Sequence, residues 1–416
     1  MDKRQSDISS GTSAPAQYAA MIGLKSEKAK NHTAMMVRYY EENRNYFSVA
    51  LLDIELKDGE VVEVVSNSNK YLATGHYQKG SIAVRILTFD RTEINAEFWR
   101  GKIQSAFDFR KMLGLTDNPS LNVFRLVNAE GDGMPGLIID YYAGTAVMQT
   151  HSIGFHLIRK ELVEILKEVL GGALIAVYDK SSETIPEREN LQVVNEYLYK
   201  SAEPGKLVCE NDCKFLVDWE TGQKTGFFID QRENRKLLSR YSKDKVVLNA
   251  FCYTGGFSVY ALKAGAKEVH SLDSSKKAIE LTEQNIALNS AFTGTHKSIT
   301  EDAIDFLKDI KDKYEVIVLD PPAFAKHLSA RHKAVQGYKR LNALALKQIK
   351  SGGILFTFSC SQVVDKNLFY HTIVAAAIES GRNIKVLHQL SQPPDHPVNI
   401  YHPEGEYLKG LVLFVE

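Results

Sequence analysis

Cysteine is scarce in this sequence. Four cysteines occur among 416 residues, at irregular spacing, and they are Cys209, Cys213, Cys252 and Cys360. So few cysteines do not support a disulfide framework and favour a reducing compartment, so we expect a cytoplasmic protein. No run of about 18 apolar residues occurs, and residues 1–20 contain no apolar core. This pattern argues against a membrane span and against a signal peptide.

The sequence also lacks an excess of charge of either sign. Lys and Arg total 51, Asp and Glu total 51, and the formal net charge is zero. Such a protein has no general attraction for nucleic acid, so any surface that binds a polyanion must be local. The chain is too long for one ordinary hydrophobic core, which predicts two or three domains.

Four regions differ in their sequence pattern. Residues 1–34 have little periodicity and are expected to form a flexible leader. Residues 35–95 contain short alternating or β-branched runs, at 48–56, 61–65 and 82–87, which predict a small β-barrel. Residues 96–206 combine helical spacing at 96–113 and 155–170 with strand-like runs, which indicates an α+β domain. In residues 207–416 strands and helices alternate, as in a doubly wound, Rossmann-like α/β domain.

The last region carries the elements on which the functional argument depends. Six strands are predicted there, at 246–249, 268–272, 316–319, 353–359, 383–390 and 411–415. Helices are predicted at about 256–264, 276–289, 302–310, 333–350 and 367–380. The last two strands are expected to form an antiparallel hairpin beside an otherwise parallel sheet.

A glycine turn follows the first of these strands. Tyr253-Thr-Gly-Gly-Phe lies where a strand must turn into a helix, and its glycines let the backbone approach a ligand. Asp273, at the end of the next strand, can accept hydrogen bonds from both hydroxyls of a ribose. Ser258 and Val259 stand where a dinucleotide site needs a third glycine, which disfavours an NAD-dependent oxidoreductase and fits S-adenosylmethionine better. The candidate cofactor residues here are Tyr253, Thr254, Gly255, Asp273 and Ser274.

Two of these assignments have structural alternatives. A glycine turn of purely structural origin would show the same pattern as a ligand-binding turn. Asp302 and Ala303 begin the helix predicted at about 302–310, between the strands predicted at 268–272 and 316–319, and are placed to face an adenine edge. Asp302 can equally be the N-cap of the next helix, and the two roles do not exclude each other.

Two strand ends carry residues that indicate a chemistry. The strand predicted at 316–319 leads into Asp320-Pro-Pro-Ala-Phe. The two prolines of this segment fix a rigid loop that projects Asp320 and Phe324 toward the cofactor. Cys360 ends the strand predicted beside it, where a thiolate could reach a substrate held by Asp320. The other cysteines are interpreted as structural thiols, and a zinc site at Cys209 and Cys213 lacks further ligands, so no metal site is predicted. Candidate substrate contacts in the loop are Pro321, Pro322 and Phe324.

A cysteine beside an aspartate suits methyl transfer to C5 of a pyrimidine. That carbon is not nucleophilic enough by itself, but addition of a thiolate to C6 makes it enamine-like. Asp320 can stabilise the ring during this addition. Methyl transfer to C5 follows, and loss of the C5 proton then expels Cys360. Methyl transfer to a base nitrogen needs no cysteine, and Cys360 would then be structural. A non-catalytic RNA-binding assembly factor is a third hypothesis, which requires a pocket that does not bind the cofactor.

A local basic face follows the proline loop. Residues 321–364 contain seven Lys or Arg and no Asp or Glu. In a chain whose charges balance, this indicates contact with a polyanion, with Phe324 and Tyr338 available to stack on bases. A solvated helix face is the alternative, although such faces usually carry both signs. The candidate RNA contacts are Lys326, Arg331 and Lys339.

The connection between the last two strands carries Asp395 and His396. It is expected at the same edge of the sheet as the cofactor site, so these side chains could touch the substrate or assist proton removal. A hydrogen bond that locks the loop is an equally good interpretation. His396 is retained as a candidate substrate contact.

Several motifs resemble those of a known family, the bacterial large-subunit ribosomal RNA cytosine-C5 methyltransferases. The matching segments lie in roughly residues 120–416 and are Gly222-Gln-Lys-Thr-Gly-Phe-Phe-Ile-Asp-Gln-Arg, Tyr253-Thr-Gly-Gly-Phe, Leu319-Asp-Pro-Pro-Ala-Phe, Phe358-Ser-Cys-Ser, Asp395-His-Pro and Tyr407-Leu-Lys-Gly. The resemblance implies a PUA domain, a central α+β domain and an S-adenosylmethionine-dependent domain that acts on ribosomal RNA. It also implies that Cys360 is the nucleophile. The cofactor-pocket residues that it implies are Lys224, Thr225, Asp230 and Gln231.

The resemblance has one discriminating residue and one departure. A sister group, the guanine-N7 methyltransferases of the same ribosomal subunit, shares the Gln-Lys/Arg-Thr-Gly and Asp-Pro-Pro features but lacks the cysteine that corresponds to Cys360. At the N-terminus, Tyr39-Tyr-Glu-Glu-Asn-Arg-Asn-Tyr-Phe-Ser replaces a His-Pro-Trp-Val-Phe-Ser-Gly-like segment. This departure weakens the sequence evidence that the PUA-like domain binds RNA. The sequence leaves the oligomeric state open, a homodimer included.

Overall fold

The computed structural model of the chain describes residues 56–65, 71–79, 82–188, 191–289, 291–325 and 327–416. The expected leader, most of the run predicted at 48–56 and the candidate RNA contact Lys326 lie outside these residues. Within the described ranges, no helix is long and apolar enough to cross a membrane.

Three antiparallel strands form the N-terminal sheet. They are β1 (Val61–Val65), β2 (Tyr71–Tyr77) and β3 (Val84–Thr88), with β2 in the middle. The sheet packs on the next layer through His76, whose ring centre lies 5.8 Å from that of Trp99 and 5.3 Å from that of Phe155. The strands predicted at 61–65 and 82–87 are confirmed.

A mixed sheet of five strands, the central sheet, forms the second layer. Its strands lie side by side in chain order, and only β6 and β7 run parallel to each other. They are β4 (Val123–Asn128), β5 (Leu137–Tyr142), β6 (Thr145–Thr150), β7 (Ala176–Asp179) and β8 (Glu196–Lys200).

Three helices pack with the central sheet: α1 (Ala96–Met112), α2 (Ile153–Leu157) and α3 (Arg159–Leu170). Trp99, Ile103 and Ala106 recur at helical spacing on α1 and share one hydrophobic core with Leu162 and Leu166 of α3. The helix predicted at 96–113 is therefore confirmed. The helical pattern predicted at 155–170 is confirmed except at Ile158, where the chain breaks into α2 and α3.

A hairpin of β9 (Leu207–Glu210) and β10 (Cys213–Leu216) leads to the C-terminal sheet, which has seven strands. Those strands are β11 (Val246–Ala250), β12 (Glu268–Asp273), β13 (Thr295–Thr300), β14 (Val316–Leu319), β15 (Gly353–Ser359), β16 (Ile384–Ser391) and β17 (Lys409–Val415). Their order across the sheet is β13-β12-β11-β14-β15-β17-β16, and only β17 is antiparallel to its neighbours. The predicted doubly wound sheet with an antiparallel hairpin is confirmed.

Helices pack on both faces of the C-terminal sheet. They are α4 (Arg232–Ser242), α5 (Gly256–Lys263), α6 (Lys276–Leu288), α7 (Ala303–Phe306), α8 (Arg331–Gln348) and α9 (Lys366–Ser380). Alternate residues of β11 enter different cores: Leu248 packs with Leu341 of α8, whereas Val247 packs with Leu238 of α4. A strand buried on both faces explains why β11 reads as a nearly continuous apolar run.

Strand polarity brings the two predicted chemical residues together. β11, β12, β14 and β15 are parallel neighbours, so their carboxyl ends lie at one edge of the sheet. Leu319 pairs with Thr357, which places the turn that carries Asp320 beside the turn that carries Cys360. The predicted adjacency of these two strand ends is confirmed.

Buried hydrogen bonds join the loop between β16 and β17 to the rest of the protein. Asp395 accepts two bonds of 2.9 Å from the Arg232 guanidinium, and its Oδ2 accepts the backbone N–H of Arg125 at 3.0 Å. The guanidinium of Arg110 donates to the carbonyl of Asp395 at 2.7 Å. The loop is thereby held against both α4 and the central sheet.

Candidate active site

A cleft of about 400 Å³ opens at the carboxyl ends of β11, β12, β14 and β15. Its volume lies in the range of sites for small organic ligands. Its wall contains many of the predicted site residues, namely Lys224, Asp230, Gln231, Tyr253, Thr254, Asp273, Ser274, Asp320, Pro321, Pro322 and Cys360. The predicted residues that do not line it are Thr225, Gly255, Asp302, Ala303, Phe324, Arg331, Lys339 and His396.

The turn after β11 is held in a rarely populated backbone conformation. Phe251, Tyr253 and Gly255 have positive φ angles of 62°, 48° and 74°. Such angles strain residues other than glycine, and strain of this kind is concentrated at functional sites. The N–H of Tyr253 donates to Oδ2 of Asp273 at 3.1 Å, which ties the strained turn to the end of β12.

The two glycines of this turn serve different purposes. A Cβ at Gly255 would lie 2.7 Å from the methyl group of Thr282 on α6, so this glycine lets a helix approach. Gly256 lines the cleft, where a Cβ would lie 3.0 Å from the side chain of Arg235. Gly255 thus has a packing role, and the expectation that it also makes room for a ligand stays a prediction.

The segment before α4 adds Lys224 to the cleft wall but turns Thr225 away. Lys224 is exposed, with its ammonium 5.1 Å from the ring centre of Phe228 and 5.9 Å from that of Tyr407. Thr225 is 2% exposed, and its hydroxyl donates to Asp140 of β5 at 2.6 Å. Thr225 therefore anchors the segment to the central sheet, and its contribution to the cleft is indirect.

Asp230 is a buried carboxylate in the cleft wall. It is 6% exposed, its Oδ2 accepts the hydroxyl of Tyr407 at 2.7 Å, and its Oδ1 has no hydrogen-bond partner among the described residues. Burial raises the pKa of Asp230, but Lys224, His396 and the bond from Tyr407 outweigh it, so the pKa is lowered. An ionised oxygen without a partner can accept a hydrogen bond from a ligand.

Asp320 follows β14 in the same wall. Burial raises the pKa of Asp320 to about 7, and repulsion from Asp230 adds to the rise, against a hydrogen bond from Gln231. Near neutral pH the carboxyl group is therefore divided between its protonated and ionised forms. In the protonated form it can donate a hydrogen bond to a ring nitrogen.

Cys360 is partly exposed and lines the cleft in the turn after β15. The hydroxyl of Ser361 donates to the carbonyl of Ala325 at 2.6 Å, which ties this turn to the loop after Asp320. Burial raises the pKa of the Cys360 thiol, and the charge of Asp320 adds to the rise, whereas Lys224 and Lys409 oppose it. The resting thiol is therefore protonated, and its reactivity depends on nearby positive charge.

The other three cysteines differ from Cys360 in their surroundings. Burial raises the pKa of Cys213 and of Cys252 to about 12, which makes both thiols unreactive at neutral pH. Cys209 lies on β9, and its thiol donates to the carbonyl of Ser120 at 3.4 Å. In the described part of the chain, no group of three or more His, Cys, Asp or Glu could hold a metal ion.

The proline loop leaves Phe324 half-buried and Tyr338 fully buried. The ring centres of Phe324 and Tyr338 lie 4.5 Å apart, and Tyr338 also packs against Phe369. Because Tyr338 is 0% exposed, the prediction that it can stack on a base is wrong. Its helical position on α8 faces the core with Ala334 and Leu341.

The basic face has fewer cations free to bind a polyanion than the sequence predicts, because some of them pair with an acid. Lys339 lies 3.0 Å and Lys347 3.5 Å from the carboxylate of Glu379 on α9, so a neighbouring helix supplies the acid that residues 321–364 lack. Arg331 and Lys333 are exposed at the start of α8 and have no ion pair among the described residues. Positive side chains at a helix N-terminus oppose the helix dipole, so they do not serve helix stability.

Asp302 caps α7. Its Oδ1 accepts the N–H groups of Ile304 at 2.9 Å and Asp305 at 3.2 Å, which confirms the N-cap interpretation. Ala303 is 5% exposed in the first turn of that helix. The adenine contact of this pair stays a prediction.

Asp395 locks its loop, as one of the two sequence interpretations expects. Both of its carboxylate oxygens are bound to Arg232, which leaves little capacity for substrate. His396 is 1% exposed, with Nδ1 3.2 Å from Asp395, and burial lowers its pKa. The structure does not place His396 on the cleft wall, and its contact with substrate stays a prediction.

Sequence reasoning included Lys409 in the Tyr407-Leu-Lys-Gly motif but gave this charged residue no role beside Cys360. Lys409 begins β17 and is 4% exposed, and its ammonium donates to the carbonyls of Ser361 at 2.6 Å and Tyr407 at 2.9 Å. A lysine in an otherwise apolar strand was the available signal, because lysine is almost never fully buried without a partner.

Comparisons with known proteins match both ends of the chain. A family model described as S-adenosylmethionine-dependent methyltransferase matches residues 186–411, and one described as PUA-like domain matches residues 46–89. Ribosomal RNA large subunit methyltransferase I of Aeromonas hydrophila is 39% identical over 363 residues, 86% of this chain and 90% of the relative. The protein of the same name from Escherichia coli is 37% identical over 370 residues, 88% of this chain and 92% of the relative.

Solved structures agree with the fold. A protein from Streptococcus mutans, assigned as an S-adenosylmethionine-dependent methyltransferase, has a TM-score of 0.74 and 25% identity, over 88% of this chain and 94% of that chain. A crystal structure with the same TM-score of 0.74 contains a methyltransferase complexed with S-adenosylhomocysteine, the demethylated form of the methyl donor. The first family match includes every residue of the cleft wall.

Proposed function

Because this chain belongs to the S-adenosylmethionine-dependent methyltransferase family, we propose that it methylates C5 of a cytosine in large-subunit ribosomal RNA. S-adenosylmethionine is its cofactor and supplies an electrophilic methyl group. Relatives at 37% to 39% identity carry the name Ribosomal RNA large subunit methyltransferase I, which supports this class of substrate. The observation that carries the choice of C5 is that Cys360 and Asp320 lie in one cleft, at the ends of adjacent strands.

The cleft residues fit this cofactor. Asp273 accepts the N–H groups of Tyr253 and Ser275, one on each oxygen, and its remaining lone pairs can accept ribose hydroxyls. The unpartnered Oδ1 of Asp230 can accept a hydrogen bond from the ammonium group of the methionine part of the cofactor. Ser258, which stands in place of a third glycine, is buried and bonded to Ser271 at 2.6 Å, so no pyrophosphate cradle is needed or formed there.

The geometry supports a covalent route in which Cys360 is the nucleophile. The target cytosine has to leave its stack to enter the cleft. The thiolate of Cys360 adds to C6 while the protonated carboxyl of Asp320 donates a hydrogen bond to the ring, and C5 becomes nucleophilic. C5 takes the methyl group, which leaves S-adenosylhomocysteine as the second product. A water molecule then takes the C5 proton, the C5–C6 double bond re-forms, the C6–S bond breaks and Cys360 returns as a thiolate.

Methyl transfer to a base nitrogen is the second candidate, and one observation favours it. The pKa of the Cys360 thiol is raised, so the resting site holds little thiolate, and a nitrogen acceptor requires none. In this alternative Asp320 holds the base and Cys360 is structural. Incubation with S-adenosylmethionine and deproteinised large-subunit rRNA, followed by nucleoside mass spectrometry, separates the two reactions. We expect 5-methylcytosine, and an N-methylated base as the sole product would refute the proposal.

Replacement of Asp320 with asparagine is expected to make the Cys360 thiol more reactive. Above about pH 7 the carboxyl of Asp320 is ionised and disfavours the thiolate, so a neutral amide should lower the thiol pKa. Alkylation by iodoacetamide, read by peptide mass spectrometry, should be faster at Cys360 in Asp320→Asn than in the wild type. Cys209 is the internal control and should react equally in both proteins. Equal rates at Cys360 would contradict the coupling of these two groups.

Substitution of Arg331 and Lys333 by glutamine is expected to weaken RNA binding and flatten its salt dependence. Each cation that contacts a phosphate of single-stranded RNA contributes about 0.7 to the log–log slope of affinity against salt. Lys339→Gln is the matched control, because Glu379 already pairs with that charge and its loss should change the slope less. Fluorescence anisotropy over a range of salt measures the slopes. Identical slopes in all three proteins would place the RNA-binding face elsewhere.

A further inference from the structure

Lys409 anchors the turn that carries Cys360. Its ammonium donates to the carbonyl of Ser361, the residue after Cys360, at 2.6 Å. Across the antiparallel pair of β15 and β17, Lys409 is opposite Ser359, the residue before Cys360. The ammonium group is therefore fixed beside the turn from two directions, by a hydrogen bond and by the register of the sheet.

The positive charge of Lys409 has no acidic partner within ion-pair distance among the described residues. Besides Cys360, the titratable groups near it are Asp365, whose Oδ1 caps α9 by accepting the N–H of Leu368 at 2.9 Å, and Glu406, which pairs with Lys366 at 3.5 Å. An ammonium has three N–H donors, and carbonyl groups take two of them. A buried cation without a carboxylate partner is costly to keep, which points to a role beyond packing.

Four charged groups face the Cys360 thiol, and Lys409 is the buried cation among them. Asp320 and Asp230 disfavour the thiolate, whereas Lys224 and Lys409 favour it. Lys224 is exposed to solvent, which screens its charge, but Lys409 is 4% exposed and acts through a poorly polarisable interior. Burial lowers the pKa of Lys409 to about 8, so the ammonium is charged at neutral pH and loses its proton above that value.

We propose that Lys409 is a positioning residue that holds the Cys360 turn in place and stabilises the thiolate of Cys360 with its ammonium charge. The inference rests on the proposed role of Cys360 as the nucleophile. In the reactive form Cys360 has given its proton to solvent water while Lys409 keeps its own, so the buried pair is a neutral ion pair. The favourable effect is present below the pKa of Lys409 and fades as the pH rises through it.

Lys409→Gln tests the charge, since glutamine keeps N–H donors for the two carbonyls. In the full-length protein we expect the pH profile of Cys360 alkylation by iodoacetamide to change below the pKa of Lys409: the reaction should be about tenfold slower near neutral pH and should approach the wild-type rate above about pH 8, where Lys409 itself is neutral. The alkylation profile of Cys209 should not move. In methylation assays kcat should fall while KM for RNA stays unchanged. An unshifted Cys360 profile in Lys409→Gln would overturn the proposal.

Lys409→Arg supplies a second test that does not depend on a stable glutamine variant. Arginine stays charged above pH 8, where Lys409 itself loses its proton, so Cys360 in this variant should react faster than in the wild type at alkaline pH. Equal alkaline rates would also overturn the proposal. Alkylation by iodoacetamide measures the reactivity of the Cys360 thiol independently of methylation. Suppose the Lys409 variant changes the alkylation profile of Cys360, but Cys360→Ala still methylates fully. The proposed function would then be refuted, while the effect of Lys409 on the thiol would stand.

Discussion

Replacing Cys360 with alanine is expected to reduce cytosine methylation by roughly 10⁴-fold or more, the scale of loss when a covalent nucleophile is removed. Without Sγ no adduct forms at C6, and C5 stays too weakly nucleophilic to take the methyl group. Cofactor binding should be unchanged, because Asp230 and Asp273 are the proposed cofactor contacts and both remain. Transfer of a radiolabelled methyl group measures the first quantity, and isothermal titration calorimetry measures the second.

Two controls make the result of the Cys360→Ala substitution specific. Cys209→Ala removes a thiol on β9, outside the cleft, and should leave methylation at the wild-type rate. RNA that contains 5-fluorocytidine should stay covalently attached to the wild-type protein, because fluorine at C5 cannot leave as a proton. No attachment should occur with Cys360→Ala. Full C5 methylation by that variant with normal cofactor binding would rule out the covalent route.

Breaking the pair of Arg232 and Asp395 is expected to cost about 3–5 kcal/mol of the free energy of unfolding, the range for buried pairs that lose one partner. The two side chains are 2% and 0% exposed, so Asp395→Asn leaves the buried Arg232 charge with only the half-exposed carboxylate of Glu233, at 3.3 Å, as an acidic partner. Burial raises the pKa of Asp395, but His396 and Arg232 outweigh it and hold that pKa well below its usual range. The stabilisation is therefore present at neutral pH and is lost only as the pH falls toward the lowered value. Urea unfolding measures the change.

An exposed pair provides the control for this stability prediction. Lys308 and Asp305 pair on the surface at 2.7 Å, and Asp305→Asn should leave the midpoint of unfolding unchanged within error. Replacing both buried partners together, as Arg232→Met and Asp395→Leu, should recover part of the loss, because no unpaired charge remains. If Asp395→Asn unfolds at the same urea concentration as the wild type, the pair does not stabilise the fold.

The sequence predicted six of the seven strands of the C-terminal sheet, because burial on both faces selects apolar, β-branched runs, as in Val246–Ala250 and Val316–Leu319. It did not predict β13, a mostly polar strand in which no residue is fully buried. It did not predict β6, although every residue of that strand is buried. Its polar residues break the apolar pattern, and their partners are distant in sequence: Thr150 bonds to Ser181 at 2.9 Å, and Gln149 to the carbonyl of Lys180 at 3.4 Å. Tertiary contacts of this kind cannot be derived from periodicity.

The cleft likewise combines positions that the sequence could predict with surroundings that depend on tertiary contacts. The positions of Asp320 and Cys360 follow from topology alone, because residues at the ends of neighbouring parallel strands must meet at one edge. The surroundings of Thr225 and Lys339 depend on side chains from other elements, namely Asp140 of the central sheet and Glu379 of α9. Residues 321–364 contain no acid of their own, but the fold brings Glu379 to this basic run from a neighbouring helix.

The loop between β16 and β17, which carries Asp395, also determines when contacts of the central sheet can form during synthesis. Arg125 and Asp395 are 270 residues apart in the chain, and translation at about 5–20 residues per second makes Asp395 roughly 14–54 s later than Arg125. Until Asp395 is made, the N–H of Arg125 lacks this acceptor, and the guanidinium of Arg110 has Asp132 but not the carbonyl of Asp395 as a partner. The contacts of the central sheet are thus completed by a segment made long after its strands, so a ribosome that stalls before residue 395 leaves the protein without this contact.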